Sequence, residues 1–270
     1  MAVDELSLQQ GAATKPVLVV KEGSITIVTI NRPRFRNALD TASARSLYYA
    51  FRAFERDAEA SVAVLAGAGG TFCAGADLNA LSRGEFLIPP ATGFDGMGSM
   101  GPTRLRLTKP VIAAIEGYAV AGGLELALWA DMRVAAENAI FGVFGRKIGA
   151  PLMDLGTIRL PKLIGHGRAL DLVLTGRQVT AQEALSIGLV NRVVSSGEAL
   201  AQAKTLAQTL ASFPQNCLQN DRLSVLEQWD LDEEDALERE IARGRDTVML
   251  GEAVDGAKRF IADRQSKKHT

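Results

Sequence analysis

Histidine and cysteine are almost missing from this chain, with two of each in 270 residues. His166 stands in LIGHGRA and His269 in the KKHT end, so a zinc site or a Ser-His-Asp relay would have to rest on one imidazole. His166 reads as a helix-entry or surface residue. Cys73 and Cys217 are distant in sequence, form no CxxC pair and are too few for a disulfide framework, so each is expected to be a reduced, buried thiol. An excess of one charge is also lacking. Thirty Lys plus Arg against 31 Asp plus Glu leave a net charge of -1, which excludes a global field toward nucleic acid or an anionic membrane. No apolar run approaches the ~18 residues of a membrane helix, and MAVDELSLQQ has neither a signal-like nor a transit-like pattern. The expected compartment is cytoplasmic. GxGxxG with its downstream acid and GxxxxGK[ST] are both absent, which removes the common dinucleotide and phosphate loops. Metal-free chemistry by carboxylates or main-chain groups remains.

What is present is an ordinary globular composition, 47% hydrophobic and 23% charged. Val17 to Val20 and Ser24 to Ile30 read as a hairpin across Lys21-Glu22-Gly23. Leu47, Ala50, Phe51 and Phe54 recur at helical spacing within Leu39 to Arg56, and Val62 to Ala66 reads as a buried strand. Two glycine-bearing turns follow, GAGGTFCAGADL from Gly67 and GYAVAGGLELALWAD from Gly117, the second preceded by the strand Val111 to Ile115. Each turn is expected to feed a helix, the second over Leu124 to Ala130. Between them Arg83 to Pro102 holds five Gly and three Pro, too broken for regular structure, and is expected to cover a site or to be partly disordered. Short strands are expected at Arg133 to Ala136, Ile140 to Phe141 and Leu189 to Val193. Helices are expected at Arg168 to Thr175, Ala181 to Ile187, Glu198 to Ser212, Gln215 to Gln228, Asp232 to Arg243 and Glu252 to Arg264. The pattern is an α/β core to about residue 200 and an all-helical tail, with strand-turn-helix recurring as in a spiral of repeats.

The second glycine turn puts the Gly122 amide at a helix N-terminus, and Ala76, after Gly75, can present a second amide from the first turn. Two converging N–H donors form an oxyanion hole for a carbonyl that gains negative charge. Glu125, three residues after Gly122, is placed to move a proton at the adjacent carbon, or else to complement its own helix terminus.

On these residues the sequence resembles the enoyl-CoA hydratase/isomerase, or crotonase, superfamily. INRP with Asn37-Ala38-Leu39, FCAGADL at Phe72 to Leu78, KPVIAAIEGYAVAGGLELAL at Lys109 to Leu128 and LTGRQVTAQEALSIGLVNRVV at Leu174 to Val194 match it in order. The resemblance implies an α/β fold, a crotonase-like spiral of ββα units with a helical C-terminal trimerisation region. Residues 1–200 would bind acyl-CoA and carry catalysis; residues 201–270 would assemble a homotrimer or a hexamer built as a dimer of trimers. It further implies an enoyl-CoA hydratase-like enzyme whose coenzyme A arrives as part of the thioester substrate, with no tightly bound cofactor and no metal. Ala76 and Gly122 match the oxyanion hole and Glu125 the acid-base residue. Ala74, Ala76, Asp77 and Leu78 match the strip that meets the adenine end of CoA. Arg34 or Arg36 would meet its phosphates, and Phe260 fits the aromatic of the C-terminal segment, where Asp263 beside Arg264 replaces the usual lysine.

The main departure is FGVFGRK, which places Gly145 where a second glutamate belongs in hydratases of this family. Asp154, in IGAPLMDLGT, is a candidate replacement acid, with an N-cap of the helix containing Thr157 to Leu160 as the structural alternative. Arg146-Lys147 would meet an anionic substrate group or pair with Asp154. A double-bond isomerase using one glutamate, and a non-catalytic acyl-CoA binding homologue, stand as alternatives. Gly122→Pro removes the proposed donor and strains the turn, and is expected to suppress thioester turnover in protein that still folds. Turnover near wild type, measured on folded variant, would count against the hole.

Overall fold

The computed structural model describes residues 15–85, 88, 89, 93, 94 and 96–266, so His269 lies outside the described residues. Val17–Glu22 (β1) and Ile25–Ile30 (β2) pair antiparallel around Gly23, whose positive φ of 60° suits the tight reversal. Thr41–Arg56 (α1) follows, N-capped by Asp40, whose carboxylate accepts from the Ser43 N–H at 2.8 Å. Next come Val62–Gly67 (β3), Leu78–Ser82 (α2), Val111–Ile115 (β4), Tyr118–Val120 (β5) and Gly122–Trp129 (α3). Met132–Ala136 (β6), Ile140–Gly142 (β7), Gly156–Ile164 (α4), His166–Thr175 (α5), Val179–Thr180 (β8), Ala181–Ser186 (α6) and Arg192–Val194 (β9) complete the mixed part. Four helices end the described chain: Ala199–Ala211 (α7), Gln215–Glu227 (α8), Glu233–Met249 (α9) and Glu252–Ser266 (α10).

The strands form two sheets, β1-β2-β3-β4-β6-β9 and β5-β7-β8. From β2 to β9 the larger sheet is parallel. Successive chain segments supply one strand to the large sheet and one to the small sheet, and then a helix, as β4, β5 and α3 do. Cys73, paired in parallel with Ala119, places the segment after β3 beside the small sheet in the same way. These are the ββα turns of the expected spiral.

Strand alternation explains why β3 and β4 read as unbroken apolar runs. Ala63, Leu65, Ala113 and Ile115 face the main core with Leu47, Phe51 and Phe141, whereas Val62, Val64, Ile112 and Ala114 face the other side. That second face is covered by Ala199, Ala203, Leu206 and Ala207 of α7, so a helix spanning residue 200 is a layer of the sheet domain. The helices α8 to α10 bury little; among their described side chains Thr247 is buried.

Several boundaries differ from expectation, among them the end of α9, which lies at Met249, six residues past the expected Arg243. Helix α3 starts at Gly122, two residues earlier than the apolar pattern suggested, because Gly122 and Gly123 already adopt helical geometry. Leu189 and Val190 are not strand: their N–H groups return to the Ala184 carbonyl and close the end of α6, which delays β9 to Arg192. Tyr118–Val120 is a strand within the presumed turn.

The loop after β2 is held by Asn37, fully buried with φ of 56°. Its amide donates to the Ala68 and Thr71 carbonyls and its oxygen accepts from the Arg32 N–H. Asn37→Ala would leave three main-chain groups unsatisfied at a left-handed position. Urea unfolding should show a loss of about 2–3 kcal/mol; a change within experimental error would remove Asn37 as the anchor of this loop.

Candidate active site

The two glycine turns meet. Cys73 N–H donates to the Tyr118 carbonyl at 2.8 Å and Val120 N–H to the Cys73 carbonyl at 3.2 Å, a two-bond stitch between the turns. The Leu39–Ala76 parallel bridge uses the Gly75 carbonyl and the Asp77 N–H. In such a bridge the central residue turns its own N–H away from the partner strand, so the Ala76 amide points off Leu39. Ala76 is exposed and Gly122 partly so. Gly122 is the first residue of α3, whose amide has no carbonyl one turn back, and no side chain caps this helix. The turns are close enough that a Cβ on Gly75 would lie 3.0 Å from the Gly122 nitrogen, and Gly75 has φ of 96°. Ala121, before the donor, holds a strained φ of 51°.

Glu125 lies one helical turn from Gly122 and is 2% exposed. It does not cap its own helix. Its Oε1 accepts from Asp154 N–H at 2.8 Å and Gly156 N–H at 2.9 Å, and a Cβ at Gly156 would stand 2.7 Å from that oxygen. Glycine at 156 is therefore what lets α4 approach the carboxyl. Burial pushes the Glu125 carboxyl up to about 7, the negative charge of Asp154 adds to the rise, and the two N–H donors oppose it.

Asp154 is 1% exposed and does not cap α4, which begins after Leu155 in a left-handed conformation with no side-chain cap. The N-cap alternative is thereby corrected: the Asp154 carboxylate faces the other way, accepting from the hydroxyls of Ser99 and Thr103 and from Met100 N–H at 3.3 Å. Those donors come from the end of the stretch expected to cover the site, of which 86, 87, 90–92 and 95 lie outside the described residues. Gly98 and Gly101 pair across a tight turn there. Met100 sits against Gly122, where an added Cβ would collide with its thioether.

Other expected residues are dispersed. Asp77 is buried, caps α2 through Asn79 and Ala80 N–H, and pairs with Arg32 at 3.0 Å, so its side chain is engaged internally. Arg32 also pairs with Asp40 at 2.9 Å and donates to the Ala38 carbonyl. Ala74 is half-buried; Leu78 and Arg34 are exposed. Arg36 is exposed and stacks over Tyr118. A cavity of about 520 Å³ beside this strip is lined by Arg32, Phe35, Asp40, Asp77 and Arg83 among others, but not by Ala76, Glu125 or Gly122. Phe260 is exposed on α10, with Arg264 over its ring. Gly145 is buried against the Ala150 carbonyl, 2.6 Å from where a Cβ would be, so this position has no room for a side chain as it stands. Arg146 donates to the Val173 carbonyl and Lys147 lies over Phe144, so neither forms the expected bridge to Asp154. His166 is exposed at the start of α5, as expected. Cys73 is fully buried, its thiol pushed up to about 12 by burial and therefore inert. No group of three or more potential metal ligands occurs among the described residues, and none of their helices is long and apolar enough to cross a membrane.

No local signal marks Ser99, Thr103 or Arg159. The first two sit in an irregular stretch, and Arg159 is one polar residue in an amphipathic helix.

Comparison with known proteins identifies similar sequences and folds. The sequence profile described as Enoyl-CoA hydratase/isomerase matches residues 20–267. Enoyl-CoA hydratase EchA19 of Mycobacterium tuberculosis is 38% identical, over 92% of this chain and 94% of that protein. Carnitinyl-CoA dehydratase of Salmonella enteritidis is 42% identical over 72% and 74%. The crystal structure of enoyl-CoA hydratase EchA1 from Mycobacterium marinum superposes with a TM-score of 0.86 at 35% identity, covering 92% and 96% of the two chains.

Folded protein holds the Glu125 proton more tightly than the unfolded chain, whose carboxyl titrates near 4.5. That contribution is full below about pH 4.5 and lost as pH rises to about 7, so above neutrality the charged carboxylate destabilises the fold. Glu125→Gln should therefore exceed wild type in urea stability at pH 8, by at most about 3 kcal/mol, and lose this advantage by about pH 4.5. A difference independent of pH would contradict the raised carboxyl.

Proposed function

The chain belongs to the enoyl-CoA hydratase/isomerase family, and from that premise we propose that it hydrates the C=C bond of an enoyl-CoA thioester at the Ala76–Gly122–Glu125 site. The observation that carries the reading is the stitched pair of glycine turns, with two main-chain donors beside one buried carboxyl. The relatives named hydratase and dehydratase support the same direction of chemistry.

In this reading the thioester oxygen sits between the Ala76 and Gly122 N–H groups. As water adds at the β-carbon, charge builds on that oxygen and the α-carbon takes up a proton. The donors stabilise the enolate-like state more than the ground state; loss of one such donor costs about 2.7–4 kcal/mol of barrier in other enzymes. Helix α3 adds its positive N-terminal end. Glu125, held near 7, both takes and returns a proton close to neutral pH. Asp154 is the second carboxyl of the site: its charge raises Glu125 and its N–H orients it. As a replacement acid it would exchange protons through the hydroxyls of Ser99 and Thr103, which hold its oxygens.

Coenzyme A enters as part of the substrate. Its adenine end is assigned to the main chain of Ala74, Ala76, Asp77 and Leu78, beside the cavity bordered by Arg32 and Arg83, with Arg34 available to a phosphate. Phe260 belongs to the same assignment only if its helix is brought there by assembly. Of residues 201–270, helices α8 to α10 are proposed as the oligomerisation region of a trimer or dimer of trimers, α7 being packed on the sheet, supported by exposed Leu237, Ile241, Val248, Leu250 and Ile261 on α9, its end and α10. A cytoplasmic setting completes the proposal.

A single carboxyl at Glu125 also suits double-bond isomerisation, a reading favoured by the engagement of both Asp154 oxygens, while the relatives named hydratase and dehydratase keep it second. Crotonyl-CoA and a 3-enoyl-CoA, each incubated in deuterated water, separate the outcomes. A 3-hydroxyacyl product is expected; allylic shift alone identifies an isomerase, and binding without turnover a non-catalytic homologue. Glu125→Gln should lower turnover about 10²- to 10⁴-fold while acyl-CoA still binds. Unchanged turnover would remove Glu125 from the chemistry.

A further inference from the structure

One charged side chain beside the paired carboxyls has no part in the proton transfer just described. Arg159 lies on α4, which packs against α3. Its guanidinium donates to the Thr103 carbonyl at 2.8 Å and the Asp154 carbonyl at 3.2 Å, and among the described residues it bonds only main-chain carbonyls. It is close enough to Glu125 and Asp154 for both carboxylates to act on it. Burial lowers its own value to about 10, which leaves it fully charged at neutral pH.

The surrounding charges are otherwise committed. Around α3 the ionisable groups are Asp154 and Arg159 from the α4 side, Arg104 and Arg106 on and after the Pro102–Arg104 turn, Tyr118 on β5, Asp131 past the helix end, and buried Arg133 on β6, which donates to the Ala127 and Ala130 carbonyls. Asp131 pairs with Arg222 at 2.9 Å and accepts from Val111 N–H. Arg106 pairs with Asp230 and stacks on Phe94. Arg104 has an interaction of its own. Arg159 is thus the cation fixed to the backbone of the residue that holds Glu125. Its two acceptors also belong to partners in one further bond, since the Thr103 hydroxyl donates to the Asp154 carboxylate. The result is a closed ring, Arg159 to Thr103 to Asp154 and back, with Asp154 N–H continuing to Glu125.

We propose that Arg159 is a positioning residue: locked by two carbonyl bonds, its positive charge balances the Glu125–Asp154 carboxyl pair and sets the proton occupancy from which the pair works. The proposal rests on the reading of Glu125 as the acid-base group. A cation near two carboxyls favours their charged forms, so removing it should raise the pH at which Glu125 releases its proton. Arg159→Gln keeps an N–H donor for the carbonyls and deletes the charge; Arg159→Lys keeps the charge.

The test follows the Glu125 carboxyl directly, by ¹³C NMR of glutamate-labelled full-length protein, with the resonance assigned by its loss in Glu125→Gln. Arg159→Gln should move the titration midpoint up by about one pH unit or more, a tenfold change in proton affinity, and Arg159→Lys should stay within about 0.3 of wild type. A midpoint unchanged in Arg159→Gln, or shifted equally in both variants, overturns the proposal. If Arg159→Gln does not fold, the lysine variant decides: a shift of about one unit despite a retained charge overturns the proposal, and a midpoint at the wild-type value supports it. The pH profile of kcat/KM for crotonyl-CoA should move with the midpoint. Should the midpoint move while wild type turns over no acyl-CoA, the charge-balancing role stands and the acid-base reading of Glu125 fails.

Discussion

Two main-chain hydrogen bonds between Cys73 and the Tyr118–Val120 strand hold one glycine turn against another, and the rest of the site depends on that contact. Each turn alone is an ordinary strand-to-helix connection. Stitched together, they bring an amide beside Gly75 and an amide at the start of α3 to one place. The large parallel sheet makes this possible because β3 and β4 are neighbours in register, so the segments leaving their ends emerge side by side. Close approach then requires the absence of side chains, at Gly75 against Gly122 and at Gly123 against the Cys73 carbonyl. Fully buried, with its thiol pushed up to about 12, Cys73 makes the bonds between the turns through its backbone, while its sulfur accepts from the Gly75 N–H at 3.4 Å within its own turn.

The second constraint is electrostatic. A glutamate in the first turns of an apolar helix loses hydration, and the structure compensates only in part, with two N–H donors from the α4 entrance. Partial compensation is useful chemically, because a fully satisfied carboxylate would hold no proton at neutral pH and an unsatisfied one would never release it. Asp154 connects this balance to the covering segment: its main chain touches Glu125 while its side chain gathers Ser99, Met100 and Thr103. Met100, fixed through that same contact, lies on Gly122. Ser99 to Thr103, Asp154, Glu125 and the start of α3 are therefore mechanically one unit, though they come from separated stretches of sequence.

Much of this was legible in the residues. The hairpin, α1, β3, β4 and the long helices followed from alternation and from apolar spacing, since both record which face is buried. Ala76, Gly122 and Glu125 could be singled out because glycine turns and a first-turn acid are local signals. Errors arose where local signals compete with a distant partner. Leu189 and Val190 look like strand residues, but their amides close a helix end. Asp154 looks like a cap for the helix it precedes, yet hydroxyls more than fifty residues away take its oxygens.

The sequence by itself determined which faces are apolar, where the chain must turn, and which residues lack a side chain, because these are properties of single residues and their near neighbours. Only the tertiary structure decided which carboxyls meet, which main-chain segments are stitched together, and that Arg159 stands beside the pair. The reason is physical: hydrogen bonds and fields between groups depend on distance in space, and no periodicity in the chain records the distance between Glu125, Thr103 and Arg159.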